Sequence, residues 1–363
     1  MALSGNKGEW SEIYTLFKLL GEGKVHAGDA NMNKLDIYYP ILNIIRQESK
    51  RYEYKPNKEQ HIVIIDENGT EYARISMDRF MQESKSLLKE IKDATERSFS
   101  VHSAENFMAE IGCEKIKEPP RPGHNKSDIQ IMIHDMRTNM TPTLGFSIKS
   151  QLGSPSTLFN AGEASNILFK IVGKRITDEE LSKINSLGGL AKIMEGLYDK
   201  GYTLSFDKVE HPVFYNNLVF VDSCMPQFIA ACLLAFNKPG NSSSVNDIVE
   251  SVSDENPLGY TGNNAQAFYQ HKMKSLLIDA ALGMTAASEW NGYYDANGGY
   301  IVVRKDGEIV CYHFYNRNDV EDYLYSNTKF ENASRDRYNF GKLFRGEDGE
   351  VYINLNLQIR FKK

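Results

Sequence analysis

An apolar stripe near the start of the chain predicts the first helix. In KGEWSEIYTLFKLL (7–20), Trp10, Ile13, Tyr14 and Phe17 follow the i, i+3, i+4, i+7 spacing of one helical face. We expect this helix to be amphipathic and to bury that stripe in a core.

Alternating apolar positions further along predict a hairpin. The runs HIVIID (61–66) and EYARI (71–75) flank Asn68-Gly69, a dipeptide that accepts the positive φ angles of a tight turn. Ser76 follows the hairpin, and we expect it to cap a long charged helix.

Two segments in the middle of the chain predict neighbouring strands. Polar and isoleucine positions alternate in SDIQIMIHD (127–135), and LGFSIKSQL (144–152) is a second strand candidate close behind it. Their proximity favours an antiparallel pair. Later, YIVVRKDGEIVCYHF (300–314) predicts another hairpin, and VYINLNLQIRF (351–361) predicts a closing strand region.

The pattern between these strands is mainly helical. We expect residues 164–200 to be mostly helical, and MPQFIAACLLAF (225–236) to form an apolar helix that backs the sheet. The proline-rich, basic stretch 113–127 predicts a surface loop. The chain thus predicts an α/β (α+β) fold with a mixed sheet flanked by helices. Its core domain is expected over 1–240, with a smaller β-rich region over 241–363.

Composition narrows the class of protein. The 363 residues are 41% hydrophobic and include 20 Tyr and 18 Phe, which excludes a disordered chain, a collagen and a coiled coil. Lys and Arg number 42 against 48 Asp and Glu. The formal net charge is therefore −6, and any site for a polyanion has to be local.

The cysteines and the apolar runs predict a reduced, cytoplasmic protein with no membrane partner. Cys113, Cys224, Cys232 and Cys311 form no CxxC pair and have no histidine at zinc-finger spacing, so we expect free thiols. The start of the chain carries no apolar leader, and no long apolar run is suited to span a membrane.

An aspartate, a serine and a lysine on the two middle strands form a candidate catalytic group. Hydrolysis of a phosphodiester needs positive charge at the phosphate and a polarised water, which a divalent metal held by carboxylates supplies. Asp128 begins the first strand, and Ser147 and Lys149 are i and i+2 on the second, so these two side chains share one face. The alternative is a surface salt bridge between Asp128 and Lys149.

This arrangement resembles the PD-(D/E)xK nuclease motif, with two departures. Ser127 replaces the usual proline, and Ser147 replaces the acidic residue that is expected to hold metal. Some restriction endonucleases of this class carry S-x-K with the glutamate displaced onto the following helix, and Glu163 fits that spacing. The resemblance therefore implies Mg²⁺ ligation by Asp128 and Glu163. The alternative for Glu163 is an acid in the first turn of a helix, where negative charge is favourable.

Many nucleases of this class also carry a glutamate from the first helix to the metal site. Glu9 and Glu12 are the candidates here. Glu9 lies four residues before Ile13 of the apolar stripe, so we expect Glu9 rather than Glu12 to assist. In the alternative, both are solvated acids of the first turn.

Longer strings carry a more specific resemblance, to the HpaII family of type II restriction endonucleases. They recur in order across nearly the whole chain: GNKGEWSEIYTLFKLL, GFSIKSQLGSPSTLFNAG, GGYIVVRKDGEIVCYHFYNRN, TKFENASRDRYNFG and LNLQIRF. The resemblance implies a PD-(D/E)xK nuclease core and Mg²⁺-dependent cleavage of double-stranded DNA at a short palindrome, CCGG being the sequence associated with the namesake. It also implies a partner DNA methyltransferase. A palindromic target further matches a homodimer.

Recognition of a G·C target favours arginine, because its fork bonds both O6 and N7 of guanine. The segment 329–342 concentrates basic and aromatic residues, and we expect Arg335 and Arg337 to contact bases there. In the alternative, this segment is a solvated loop in which Asp336 pairs with one arginine. Contacts to phosphates or base edges are also expected from Lys329, Ser334 and Asn339. The polar loop after Lys149, with Gln151, Ser154 and Asn160, either contacts the DNA backbone or only forms a turn.

Two other functions stay open at this point. A structure-specific or nonspecific nuclease of the same class would share the catalytic group and cleave without a fixed sequence. The neutral Ser147 also suits a DNA-binding protein with an inactive site. Cleavage at one fixed sequence in Mg²⁺ distinguishes a restriction endonuclease from both.

Overall fold

The computed structural model describes residues 3–119, 127–262, 264–293, 298–334 and 338–363. Contacts between residues divide the chain into two compact units. The first unit comprises Met1–Ser156, Tyr294–Tyr323 and Lys363, and the second comprises Thr157–Tyr293 and Leu324–Lys362. These units do not follow the expected boundary at residue 240, and the separate roles of 1–240 and 241–363 stay a prediction.

The described residues form helices and strands in roughly alternating groups. The α-helices are α1 (Lys7–Glu22), α2 (Met77–Asp93), α3 (His102–Glu110), α4 (Asp178–Asn185), α5 (Leu190–Asp199), α6 (Pro212–Val221), α7 (Met225–Asn237), α8 (Val245–Glu255), α9 (Ala265–Leu282) and α10 (Arg317–Asn327). Short 3₁₀ helices cover Glu163–Ser165 and Phe314–Asn316.

The strands are numbered in chain order in the same way. They are β1 (Lys24–Gly28), β2 (Lys34–Gln47), β3 (Arg51–Pro56), β4 (His61–Asp66), β5 (Glu71–Ser76), β6 (Ile129–Ile133), β7 (Thr143–Ser150), β8 (Thr157–Phe159), β9 (Asn166–Val172), β10 (Thr203–Val209), β11 (Gly299–Val303), β12 (Ile309–His313), β13 (Thr328–Phe330), β14 (Leu343–Arg345), β15 (Val351–Asn356) and β16 (Ile359–Phe361).

The first unit is built on a nine-stranded sheet in the order β1–β12–β11–β7–β6–β2–β3–β4–β5. The pairs β1–β12 and β11–β7 are parallel, and the other neighbours are antiparallel. The predicted mixed sheet is therefore confirmed. The β11–β12 hairpin inserts between β7 and β1, which explains why the first unit takes residues from distant parts of the chain.

Helix α1 is stabilised by a capping box at its N-terminus and by burial of its apolar residues. The Asn6 side chain accepts hydrogen bonds from the N–H groups of Gly8 (2.8 Å) and Glu9 (3.1 Å), and the Glu9 carboxylate accepts one from the Asn6 N–H at 2.8 Å. Every residue from Ile13 to Leu20 is buried, so the helix is covered on more than its predicted stripe. It packs against α2 and β7.

The local turn signals of the first unit are confirmed. Gly69 has φ 79° in the β4–β5 turn and Gly307 has φ 95° in the β11–β12 turn, values that glycine adopts without strain. Ser76 caps α2 by accepting a hydrogen bond from the Arg79 N–H at 3.3 Å. The expected antiparallel pair in the middle of the chain is β6–β7.

The second unit carries a four-stranded sheet, β10–β9–β15–β14, and a three-stranded sheet, β13–β16–β8. The prediction of a mostly helical 164–200 is wrong in its first part, because Asn166–Val172 is the central strand β9. Its apolar run NILFKIV is buried almost throughout, a pattern that does not distinguish a helix from a central strand. Helix α7 forms as predicted, but it packs on α8 and on β10 of the four-stranded sheet and not on the nine-stranded sheet that it was expected to back.

Two further sequence expectations concern thiols and membranes. All four cysteines are free, as predicted. In the described part of the chain, no helix taken alone is long and apolar enough to cross a bilayer, and α6 with α7 meets that test only as a pair bent by 103°.

Candidate active site

The carboxylate of Asp128 is fixed against strand β7. The Asp128 N–H donates to the Phe146 carbonyl at 2.8 Å, which continues the β6–β7 ladder by one residue. Asp128 Oδ2 accepts a hydrogen bond from Ser147 Oγ at 3.0 Å and another from the Ile148 N–H at 2.7 Å. The structure therefore brings Asp128 and Ser147 into direct contact, and two donors orient the carboxylate.

Ser147 and Lys149 lie on the same face of β7, as their spacing predicts. Ser147 is buried, whereas Lys149 is half-buried. On the neighbouring parallel strand β11, Tyr300 is in register with Ser147 and Val302 with Lys149. Lys149 Nζ lies 5.4 Å from the centre of the Tyr300 ring.

Glu12 of α1 is the second acid of this site. Its Oε2 atom is buried and has no hydrogen-bond partner among the described residues. Burial, and then the negative charge of Asp128, raise the pKa of Glu12 to about 8, while the positive charges of Lys117 and Arg46 lower it. Glu12 and Asp128 therefore lie close enough to interact electrostatically.

The expected assisting glutamate, Glu9, has a different contact. Its carboxylate accepts the Asn6 N–H at 2.8 Å and so completes the capping box of α1. The sequence favoured Glu9 because it lies near the apolar stripe. However, α1 is buried on several faces, so closeness to the stripe does not predict which of the two glutamates is buried. The orphaned carboxylate oxygen at the site belongs to Glu12.

A buried ion pair between Arg46 and Glu48 anchors residues 113–116, which directly precede Lys117. Arg46 is 6% exposed, forms an ion pair with Glu48 and donates to the Lys115 carbonyl. Glu48 in turn accepts the Glu114 N–H at 2.7 Å. The segment 113–116 is therefore tied to the end of β2. The rest of the basic loop expected before Asp128 lies partly outside the described residues.

Glu163 lies in the second unit. It is the first residue of the 3₁₀ helix Glu163–Ser165, and its side chain is exposed. The helix expected after Lys149 is thus a single turn that leads into β9. Ligation of metal by Glu163 stays a prediction. Among the residues that the structure describes, no three acidic, histidine or cysteine side chains form a ready-made metal cluster.

The expected base-contacting residues Arg335 and Arg337 lie outside the described residues. Ser334 and Asn339 on either side of them are exposed. Asn339 has φ 49°, in the left-handed region that asparagine tolerates, and its carbonyl accepts a hydrogen bond from Asn166 Nδ2 at 3.4 Å. Exposure leaves Ser334 and Asn339 accessible to a large ligand.

Lys329 is more enclosed than a loop residue would be. It lies in β13, where its Nζ is 3.4 Å from Glu331 Oε1. The same glutamate is 2.7 Å from Arg360 Nη1. A phosphate contact by Lys329 would therefore compete with this ion pair.

The three polar residues expected after Lys149 differ in their surroundings. Gln151 is half-buried, and its N–H donates to the Val303 carbonyl at 2.9 Å. Ser154 is exposed in an open cleft of the first unit that is also lined by Lys7, Arg97 and Lys363. Asn160, exposed after β8, belongs to the second unit. Of the three, Ser154 has the basic surroundings that suit a phosphate contact.

Tyr300 and the Arg46–Glu48 pair were not expected at this site, and Glu12 is the candidate of α1 that the apolar stripe did not favour. Strand β11 begins 149 residues after β7 ends, and the local periodicity of the sequence does not indicate a parallel pairing over that distance. Arg46 and the Glu12 carboxylate are distinguished by their burial, which the fold shows and the sequence does not.

Comparison with known proteins shows which family the chain belongs to. A family model described as HpaII restriction endonuclease matches residues 6–361. The chain is 43% identical over 362 residues to the type II restriction enzyme HpaII of Haemophilus parainfluenzae, which covers 99% of this chain and 98% of that protein. No match to a solved structure was found. The chain therefore belongs to the HpaII restriction endonuclease family.

Proposed function

We propose that this restriction endonuclease cleaves double-stranded DNA at the palindrome CCGG and that it uses Mg²⁺. Family membership and the 43% identity to a type II restriction enzyme support the reaction class. CCGG is the sequence associated with the family's namesake. The observation that carries the catalytic assignment is the oriented Asp128 carboxylate beside Glu12 on the face that also holds Lys149.

The donors present fit a divalent cation. Asp128 and Glu12 supply carboxylate oxygens, the ligands that Mg²⁺ prefers in proteins. Burial, and then repulsion by Asp128, raise the pKa of Glu12; a bound cation would offset both effects and would give the buried Glu12 Oε2 atom a partner. Glu163 is a further carboxylate that the family resemblance puts forward as a ligand, and its role is tested separately by substitution.

Each residue of this group then has a distinct role. Mg²⁺, when bound, supplies positive charge at the scissile phosphate and polarises the attacking water. Ser147 and the Ile148 N–H hold the Asp128 carboxylate in one orientation. Lys149 stabilises the negative charge that develops on the phosphate or orients the water. Glu12 takes the acidic position that Ser147 leaves empty in the sequence motif, so the serine is compatible with an active enzyme.

The fold around the site supports a PD-(D/E)xK core. The acid and the lysine lie on adjacent antiparallel strands of a mixed sheet, with α1 packed against β7. This is the placement that the motif requires: an acid where one strand begins and a lysine on the next.

Binding of double-stranded DNA follows from the family, and the manner of binding is proposed here. We assign base contacts to Arg335 and Arg337, with phosphate contacts from Ser334, Asn339 and Ser154. A homodimer would match the twofold symmetry of the palindrome. A partner methyltransferase that modifies the same sequence would protect the host DNA.

The catalytic assignment is tested with Lys149→Ala. Wild type should cut plasmid DNA in Mg²⁺ into discrete fragments, and Lys149→Ala should fail to cut while binding a duplex with the mapped site as tightly as wild type in Ca²⁺. Lys89→Ala, which changes an exposed lysine of α2, is the matched control and should cut normally. Normal cutting by Lys149→Ala would contradict the role of this lysine, and a wild type that binds and never cuts would support the inactive DNA-binding protein.

A further inference from the structure

The β11–β12 hairpin contributes a buried aromatic residue to the catalytic face, which is the side of the sheet that carries Ser147 and Lys149. Tyr300 on β11 is 3% exposed. It is paired in parallel with Ser147 of β7, and residues in register on neighbouring strands point to the same side of a sheet. Ser147 and Lys149 share that side because they are two residues apart. The ring of Tyr300 is thus fixed by strand pairing beside the stem of Lys149.

The contact between the two side chains has the geometry of a cation–π interaction. Lys149 Nζ lies 5.4 Å from the Tyr300 ring centre, within the distance of about 6 Å at which a ring face attracts an ammonium group. Lysine has a flexible four-carbon stem, so an ammonium group that is attracted to a fixed ring explores fewer rotamers. The attraction is strengthened where both partners are partly removed from water.

Tyr300 also lies within electrostatic range of Asp128. Burial, and then the negative charge of Asp128, raise the pKa of Tyr300 well above its ordinary value, so its phenol stays neutral at physiological pH. A neutral ring retains the negative π face that a cation needs, and it adds no charge to the acidic site. The same ring is therefore near both members of the catalytic pair.

We infer that Tyr300 is a positioning residue for Lys149, so that the catalytic face is built on three strands, β6, β7 and β11. This inference rests on the proposed catalytic role of Lys149. The ring acts on the reaction only through the ammonium group that it holds in place. Removal of the ring leaves the charge of Lys149 present but distributed over several rotamers, which lowers the rate of the chemical step and leaves DNA affinity unchanged.

The first test compares two substitutions by single-turnover cleavage of a duplex with the mapped site. Tyr300→Phe keeps the ring and should cut within about twofold of wild type, whereas Tyr300→Leu removes it and should cut about tenfold more slowly. Both should bind the duplex in Ca²⁺ with wild-type affinity. Phe80→Leu is the matched control, because Phe80 is fully buried in the first unit among Phe17 and Phe107, and its rate should be unchanged. Equal rates for Tyr300→Leu and Phe80→Leu would overturn the inference.

The second test does not depend on the folding of Tyr300→Leu. Phenylalanines with increasing fluorination are introduced at position 300, which keeps the shape of the ring and weakens its negative face stepwise. The rate should fall with each added fluorine, and the same series at position 80 should give a flat response. A flat series at position 300 would show that the ring only fills space.

The two proposals fail in different ways. Normal cutting by Lys149→Ala would refute the proposed function of that lysine, whatever the Tyr300 variants do. Loss of cutting by Lys149→Ala, together with normal cutting by Tyr300→Leu and a flat fluorination series, would refute the positioning role alone.

Discussion

Ser147 donates a hydrogen bond from its Oγ to Asp128 Oδ2 at 3.0 Å. The serine that occupies an acidic position of the sequence motif thus binds the first acid of that motif instead of replacing the second. In the proposed site, Ser147 therefore orients Asp128, and Glu12 of α1 supplies the second acid.

Ser147→Ala should slow cleavage about tenfold. The change removes one of two hydrogen bonds on Asp128 Oδ2, and a hydrogen bond to a charged group contributes about 1.5 kcal/mol or more. Single-turnover rates with saturating enzyme measure the effect. Ser86→Ala removes an exposed hydroxyl of α2 in the same unit and is the control for loss of a hydroxyl. An unchanged rate for Ser147→Ala would show that the Ile148 N–H alone orients Asp128.

Glu12 should make the stability of the metal-free protein depend on pH. Its pKa is raised from an ordinary 4.5 to about 8, so the folded chain binds this proton more tightly than the unfolded chain does. The stabilisation is full below pH 4.5 and is lost as the pH rises through about 8. Between pH 5 and pH 9, Glu12→Gln should therefore gain about 2–4 kcal/mol in unfolding free energy relative to wild type.

Urea unfolding in EDTA at a series of pH values measures this difference. Glu9→Gln is the matched control, because Glu9 caps the same helix. Parallel curves for wild type and Glu12→Gln would contradict the burial of a neutral Glu12. Cleavage by Glu12→Gln in Mg²⁺ should also fall by at least about a hundredfold, the scale of losing an electrostatic catalytic group.

Arg46→Ala should destabilise the first unit by about 3–5 kcal/mol. Both partners of the Arg46–Glu48 pair are almost fully buried, so the change leaves an uncompensated buried carboxylate and frees the segment 113–116. Urea unfolding gives the free energy. Arg51→Ala breaks an exposed pair with Glu53 and should cost under about 1 kcal/mol. A similar small cost at Arg46 would mean that water reaches this pair.

Glu163→Ala tests the displaced glutamate of the family pattern. Loss of a metal-linked carboxylate should lower the cleavage rate by at least about a hundredfold. Glu179→Ala is the control, since Glu179 is an exposed acid in the first turn of α4 and has only the ordinary helix-end role. Near-normal cleavage by Glu163→Ala would restrict the metal carboxylates to the first unit.

Arg335→Ala and Arg337→Ala should each cost about 1–3 kcal/mol in binding the cognate site and should relax specificity at one base pair. Binding to a panel of duplexes with single substitutions in the site measures both effects. Asn339→Ala is the comparison, because the phosphate contact assigned to Asn339 contributes equally to binding of all sequences. A uniform loss for the arginine variants would mean that they contact the backbone.

Features that depend on neighbouring residues were predictable from the sequence. The α1 stripe, the Asn68-Gly69 turn, the Ser76 cap and the β6–β7 pair all follow from periodicity or turn chemistry within a few residues. For the same reason, Ser147 and Lys149 were placed correctly on β7, and Asp128 lies one residue before β6.

Features that depend on distant pairing were not predictable. An apolar run such as NILFKIV is consistent with a helix or a central strand, and only its partners β10 and β15 decide between them. The choice between Glu9 and Glu12 required the burial of α1 on several faces. Tyr300 reaches Lys149 through a parallel strand pair, and no local period records that pairing.

The central claim is that this chain cuts DNA at one fixed sequence with the group around Asp128. Its most direct test is to digest phage DNA with the purified protein in Mg²⁺ and in EDTA, and to sequence the fragment ends. We predict discrete fragments in Mg²⁺, intact DNA in EDTA, and ends that all derive from CCGG. Ends without a common sequence, or no cutting in Mg²⁺ by a protein that binds the DNA, would contradict it.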